Sequence, residues 1–313
     1  MLIDHSPFVI FSFYGGAGQY RIALVIGMDK LYAVDRDQSM TALFGALDVQ
    51  DNAWMLKRKQ ETGSWGSIFM DNYYAKLARE YLQNSGATKR DLAAVAVKNR
   101  RHAQLNPFAQ YQEPISEEDV LNATMIAEPL TRLMCSPLTD GAAAMLVMSD
   151  EARKRLGAPA VRIASTAIRS GHPVRGAVEH VITRTAKQAF EESGLGPQDI
   201  DLAELHDASA VAELTASEWI GFSPEGDAVK MIREGKTALG GALPINASGG
   251  LLSRGHPGAA TGAAQIVELV WQLQGRAGKR QVDGARVGLA HSAGGRVGDE
   301  TACTAITILT REH

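Results

Sequence analysis

Apolar positions along this chain change period repeatedly, from continuous β-rich runs to stripes recurring every three or four residues. RIALVIGMDKL (Arg21–Leu31) is continuous, rich in β-formers and preceded by a glycine-rich turn, and reads as a buried strand. In DNYYAKLAREYLQNSG the residues Tyr74, Leu77, Ala78, Tyr81 and Leu82 share one helical face, and Gly86 ends the helix. Thr88 with Asp91 and Ser116 with Asp119 have the spacing of capping boxes, which opens helices in TKRDLAAVAVKN and SEEDVL. Between them NRRHAQLNPFAQYQEP is polar and broken by proline, and reads as loop. DGAAAMLVMSD (Asp140–Asp150) starts small and ends as an apolar strand.

The second half alternates more regularly. AVRIASTAI reads as a strand. GAVEHVITRTAKQAFEESGLGP is an amphipathic helix with Val178, Val181, Ile182, Ala186, Ala189 and Phe190 inward, closed by Gly194 and Pro197. DLAELHD is a strand ending in a polar pair, and SAVAELTASEWIGF a helix closed by Gly221. GAAQIVELVWQLQG sets Ile266, Leu269, Val270 and Leu273 on one face, and ARVGLAHSAGG and ETACTAITIL are strands. The pattern specifies an α/β fold, a helix-covered mixed sheet with its site along one edge. There is no sequence repeat, although both halves end in a small-residue run that becomes a strand (DGAAAMLVM and ETACTAITI).

Charge and composition narrow the function. A net charge of -3 gives no field that would gather nucleic acid or an anionic membrane. Two distant cysteines, Cys135 and Cys303, argue against a disulfide framework and for a reducing, cytoplasmic setting. Cys303 lies in a strand and reads as buried packing; Cys135, before a proline turn, also reads as structural. No apolar run reaches the roughly 18 residues that span a bilayer. FVIFSFY is short, lacks a basic lead and follows Asp4, unlike a signal peptide. The groups ARKRLG and LKRKQ read as solvated faces, GHP at Gly171–Pro173 as loop, and Trp54, Trp65, Trp219 and Trp271 as packing. There is no Walker or dinucleotide fingerprint and no metal-type cysteine pairing, so no cofactor or metal is assigned.

The candidate chemistry lies in NASGGLLSRGHPGAATGAAQ (Asn246–Gln265), where five glycines surround His256. Pro257 is pre-set for a first helical turn, which puts His256 near a helix N-terminus whose positive end disfavours imidazolium. A neutral base in an amide-lined pocket suits proton abstraction beside a carbonyl, or activation of a nucleophile. A capping histidine in a glycine-rich turn is the plain alternative. His206 ends the strand DLAELHD and His291 the strand ARVGLAHS, the strand ends where α/β sites gather. All three histidines are therefore expected in one pocket. A zinc hydrolase ligated by them is a further alternative, although Pro257 and the glycines account for His256 without a metal.

At these residues the sequence resembles the thiolase superfamily. NASGGLLSRGHPGAATGAAQ is similar to its glycine-histidine-proline loop and HDASAVAELTASEWIGF to its second active-site segment. CSPLTDGAAAMLVMSDEA is similar to the end of its N-terminal half, and VKNRRHAQLNPFAQY to part of its loop domain. The nearest subgroup is that of sterol-carrier-associated thiolases and acetyl-CoA acetyltransferase-like proteins, some of which act with a small OB-fold partner. The resemblance implies a layered αβαβα fold with mixed sheets. It divides the chain into an incomplete N-terminal half (1–157), with a loop domain inserted at about 35–137, and a C-terminal half (158–313). It implies acyl transfer or thiolytic cleavage on CoA thioesters in lipid metabolism, by a homodimer or with a partner subunit, CoA thioester being substrate and no cofactor being needed. His256 would activate the nucleophile and polarise the thioester, and His206 would serve the same oxyanion hole. Asn246, Gly249 and Gly250 would shape that loop, and Ala293 and Gly294, beyond His291, the second hole.

The departures from the family are specific. Sterol-carrier-type members often read His-Asp-Cys-Phe where this chain has His206-Asp207-Ala208-Ser209, and a hydroxyl is a poor substitute for an acid/base thiol. Ala259 stands where the family usually has glycine. The family's nucleophilic cysteine precedes the strand matching RIALVIGMDKL, whereas MLIDHSPFVIFSFYGGAGQY has neither cysteine nor helical period. The first sheet should accordingly expose an apolar face and an open edge that invite association. Two other classes follow: a non-catalytic subunit binding CoA esters or a partner, and a thioester-linked retro-aldol C–C lyase.

Overall fold

The computed structural model describes residues 20–31, 49–62, 70–174 and 178–312. The segment before Tyr20, Trp65 and most of the stretch between β1 and α2 lie outside them. In chain order the elements are β1 (Ile22–Asp29), α1 (Val49–Thr62), α2 (Lys76–Ser85), α3 (Lys89–Ala103), α4 (Glu117–Leu121), β2 (Met125–Ala127), β3 (Leu130–Thr131), β4 (Gly141–Met148), α5 (Asp150–Leu156) and β5 (Val161–Ser170). They continue with α6 (Val181–Ser193), β6 (Leu202–Glu204), α7 (Ala210–Ile220), α8 (Ala228–Arg233), α9 (Gly250–Arg254), α10 (Gly258–Leu273), β7 (Val287–Gly294) and β8 (Cys303–Arg311).

Two sheets sandwich α10. One pairs β1 antiparallel with β4, from Ile22 opposite Met148 to Asp29 opposite Gly141. The other runs β5-β8-β7-β6, with β6 parallel to β7 and the other pairs antiparallel. Helix α10 lies against β1 and β4 on one side and β7 on the other, while α6 covers β5 and β8 from the opposite face. The layers thus run helix, sheet, helix, sheet. Small residues let α10 approach: a Cβ on Gly27 would lie 2.6 Å from the Ala259 carbonyl oxygen, and one on Gly141 2.7 Å from the Pro257 ring. Asp29 accepts from the Ala259 N–H at 3.1 Å, so β1 also caps the helix that begins just after His256.

Among the described residues, none covers the outer face of the β1–β4 sheet. Side chains alternate along β1, so Val25 faces α10 while Leu24, Ile26 and Met28 are 61%, 56% and 69% exposed. The continuous apolar run predicts burial on both faces; the strand is buried on one.

The capping boxes at Thr88–Asp91 and Ser116–Asp119 form, and α2 and α7 stop at Gly86 and Gly221. Three expectations are corrected. Helix α3 continues through Asn99–Ala103, read from its polarity as loop, because Asn99, Arg100 and His102 find buried partners. Val178 lies outside α6 and is exposed. Cys303 is exposed, not buried, because it opens β8 at the sheet margin, between Gly294 and Ser170.

Candidate active site

Strand β7 carries His291, the chain leaving β6 carries His206, and the turn between α9 and α10 carries His256. The fold brings the three together. The His206 and His256 rings meet edge to face at 5.1 Å, and the His206 backbone N–H donates to His291 Nδ1 at 3.5 Å. From α10, Gln265 Nε2 donates to the Glu204 and His291 carbonyls at 3.3 and 3.0 Å, tying the end of β6 and the interior of β7 to the helix. His291 does not end its strand, which pairs with β8 as far as Gly294.

Hydrogen bonds assign the ring protons. Thr261 Oγ1 donates to the Pro257 carbonyl at 2.9 Å, so at 2.8 Å it accepts from His256 Nδ1. The bare, basic nitrogen of His256 is therefore Nε2. In His291 the order reverses: Nδ1 accepts from His206 N, leaving the proton on Nε2, which is buried with no protein partner among the described residues. One imidazole offers a base and another a donor.

All three rings are held neutral. Burial pushes His256 down to about 4, with the Arg254 guanidinium adding to it, and His291 down to about 3. His206 is pushed well below its ordinary value by burial, then by His256, His291 and Arg254. Unfolded imidazoles titrate near 6.5, so below about pH 6.5 the unfolded chain binds protons that the folded chain refuses. While the raised carboxyls of Glu204 and Asp207 slope the opposite way, the histidines' contribution to stability should be flat above about pH 7 and fall from about pH 6.5 toward 4, by up to about 1.4 kcal/mol per pH unit for each histidine. His102 and His180, held at about 3 and about 4 by burial, add to the slope. Melting temperatures across this range check it, and His291→Asn should flatten the fall.

Asn246 and its glycines support the site from behind. Asn246 is fully buried with φ 58°, the one non-glycine residue at positive φ among the described residues. Its Oδ1 accepts from the Leu205 N–H at 2.7 Å, its Nδ2 donates to Glu213 at 2.8 Å, and its carbonyl accepts from His102 Nδ1 at 3.0 Å. Gly249 N donates to the Asn246 carbonyl and Gly250 N to Ser248 Oγ, so the structure places both amides in internal bonds. What these glycines permit is contact: a Cβ on Gly249 would lie 2.6 Å from Ala103 Cβ, and one on Gly250 2.3 Å from Asp207 Oδ2. Ala293 and Gly294 follow His291 in β7, opposite Thr304 and Cys303 of β8.

Sequence reasoning missed the charged frame beneath. Lys98 Nζ lies 2.7 Å from Glu213 Oε1, with side-chain exposures of 9% and 1%, and donates to the Ile245 carbonyl at 2.8 Å. Asn99 Nδ2 donates to both Asp207 and Glu213 at 2.8 Å. Asp207, which accepts from the Leu251 N–H at 2.7 Å, is pushed well above the carboxylate range by burial and then by Glu213. Glu204, raised to about 7 chiefly by burial, holds Ser248 and faces Arg254 at 3.4 Å. The available signal was the helical spacing of Lys98, Asn99 and His102 behind a capping box, which outweighs their polarity.

Cys135 is not a ready nucleophile. Cys135 donates to the Thr131 carbonyl at 3.4 Å, and burial pushes its thiol up to about 12. Cys303 opens β8, a register position beyond Ala293. Among the described residues no group of three or more His, Cys, Asp or Glu is placed to hold a metal ion.

Residues 16–151 match the thiolase N-terminal domain family, and residues 169–309 the thiolase C-terminal domain-like family. The chain belongs to the thiolase superfamily. Its similarity to benzoylsuccinyl-CoA thiolase subunit BbsB of Thauera aromatica is 41% identity over 232 residues, 72% of this chain and 60% of that one. Acetyl-CoA acetyltransferase of Methanothermobacter thermautotrophicus is 41% identical over 245 residues, 76% of this chain and 64% of the relative. Sterol carrier protein 2 of Rattus norvegicus is 37% identical over 236 residues, 72% and 43% of the two chains. The chain thus spans less than two thirds of these relatives' length. Among solved structures, the Ltp2-ChsH2(DUF35) aldolase superposes with a TM-score of 0.76 at 27% identity, covering 96% of this chain and 75% of that one. In this thiolase-superfamily chain, no helix among the described residues is long and apolar enough to cross a membrane.

Proposed function

We propose that the chain carries out C–C bond chemistry on acyl-CoA thioesters as a thiolase-type C-acyltransferase. The observation that carries this reading is the pairing of a bare Nε2 on the partly buried His256 with a protonated, buried Nε2 on His291, both rings held neutral. A neutral imidazole can take a proton from the carbon beside a thioester, while N–H donors bind the oxygen on which negative charge develops. In thiolytic cleavage the sulfur of a second CoA bonds to the 3-oxo carbon as its thiol proton passes to His256, the C2–C3 bond breaks, and the same enolate leaves and takes up that proton. The test is exchange of the acetyl protons of acetyl-CoA in D2O, followed by NMR, alongside thiolysis of acetoacetyl-CoA. Exchange and cleavage are expected; absence of both overturns the reading.

A second reading is retro-aldol cleavage of a 3-hydroxyacyl thioester, favoured by the burial of the Cys135 thiol. There His256 removes the hydroxyl proton, the carbonyl forms as the C–C bond breaks, and the thioester enolate is then protonated, with no enzyme thiol required. Product analysis with a 3-hydroxyacyl-CoA separates the two.

The bare outer face of β1–β4 supports assembly with a second copy or a partner subunit. A relative named as a subunit and a neighbour that joins Ltp2 to ChsH2 point the same way. Light scattering should give a mass above the 33.5 kDa of one chain, and Ile26→Asp should shift it toward the monomer. A strictly monomeric parent protein would count against assembly.

A further inference from the structure

Near the C-terminal end of α10, about 20 Å along the helix from His256, lies a groove unrelated to the histidines. It encloses about 550 Å³ and is lined by Phe108, Trp271, Arg276 and Lys279 among others, none of them acidic. Phe108 is 71% exposed, yet its ring is held: it stacks on Trp271 at 5.6 Å and 29°. Beneath the pair, the Arg280 guanidinium lies 5.6 Å from the Trp271 ring and is bound by Glu268 at 2.9 Å. Arg280 is therefore neutralised and serves as the floor. Arg276 and Lys279 stand exposed on the rim, and neither forms an ion pair in the described structure.

We propose that this groove binds a nucleotide, a flat heteroaromatic ring carrying phosphate. The ring stacks on the open face of Phe108, which Trp271 holds rigid from behind, and the phosphates meet Arg276 and Lys279. The Gln104 side-chain amide and the Gln112 side-chain oxygen at the margin suit the polar edge of a base, the Gln112 Nε2 being taken by the Pro107 and Ala109 carbonyls. An inorganic anion alone would leave the exposed ring in water, and an apolar ligand would desolvate two cations without a counter-charge. The volume falls within the range of small-molecule sites. The proposal is independent of the catalytic reading, since it concerns binding at the opposite end of α10.

Calorimetry with ADP, adenosine, inorganic pyrophosphate and CoA tests it. ADP should bind, with adenosine and pyrophosphate each weaker by about tenfold or more, because each keeps half of the recognition. Phe108→Ala should weaken ADP by about tenfold, the size of one base–aromatic stack. The double variant Arg276→Ala/Lys279→Ala should weaken it similarly and flatten its salt dependence. Both variants alter exposed side chains, so their melting temperatures should match the parent and separate lost binding from lost folding. If CoA loses the same factor on Phe108→Ala, the bound nucleotide is the adenine end of the thioester. If only ADP does, the site takes a separate nucleotide. ADP that binds no tighter than pyrophosphate, or that ignores Phe108→Ala, overturns the proposal.

Discussion

Replacing His256 by alanine should remove about a hundredfold or more of any CoA-thioester turnover, because it removes the general base. The base role follows from a chain of hydrogen bonds. Thr261 gives its proton to the Pro257 carbonyl and so accepts from Nδ1, which fixes Nε2 as the unprotonated nitrogen. Thr261→Val should act in the same direction but less severely, because it releases the tautomer while leaving the ring. Burial keeps His256 near 4, so activity limited by this base should hold level from about pH 8 down to about pH 5. The proton-exchange assay with acetyl-CoA measures the base directly and needs no nucleophile. Full exchange in His256→Ala would remove His256 from the mechanism.

His206 and His256 were legible in the sequence because one follows a strand and the other precedes a helix; His291 was expected at a strand end and lies inside β7, which runs on to Gly294, yet still meets the other two. The capping boxes were legible because Thr88 and Asp91, or Ser116 and Asp119, complete their contacts within one turn. What could not be read depends on partners far along the chain. Asn99 sits in a polar run that resembles a loop; only Asp207 and Glu213, more than a hundred positions later, make its burial tolerable. Strand β1 shows a related ambiguity. A continuous apolar run looks the same whether one face is covered or two, and here Leu24, Ile26 and Met28 lie uncovered while Val25 meets α10. Cys303 was misjudged because an apolar strand says nothing about which of its ends reaches the margin of the sheet.

The charged frame yields the largest stability effect. Lys98 is the cation closest to a cluster in which Asp207 and Glu213 share Asn99, and all four side chains are buried. Removing only the cation by Lys98→Met leaves carboxylate charge uncompensated in a dry interior. The cost should be about 3–5 kcal/mol, or a melting temperature lower by roughly 10 °C. The sign of its pH dependence follows from Asp207. Its carboxyl is already held well above the usual range, so as pH falls the folded variant takes up a proton that the unfolded chain has released. The deficit of Lys98→Met should therefore shrink on acidification from about pH 8 to about pH 5.5, opposite to the slope that the buried histidines impose on the parent. Adding Glu213→Gln removes the stranded charge but keeps an oxygen for Asn246 and Asn99, so most of the lost stability should return. Turnover should return only as far as Asn246 again holds the Leu205 N–H, the contact that sets the backbone leading into His206. Hydrogen exchange at Leu205 reads that contact without an activity assay. A double variant as unstable as Lys98→Met at every pH would mean that lost packing, and not the uncompensated charge, carries the effect.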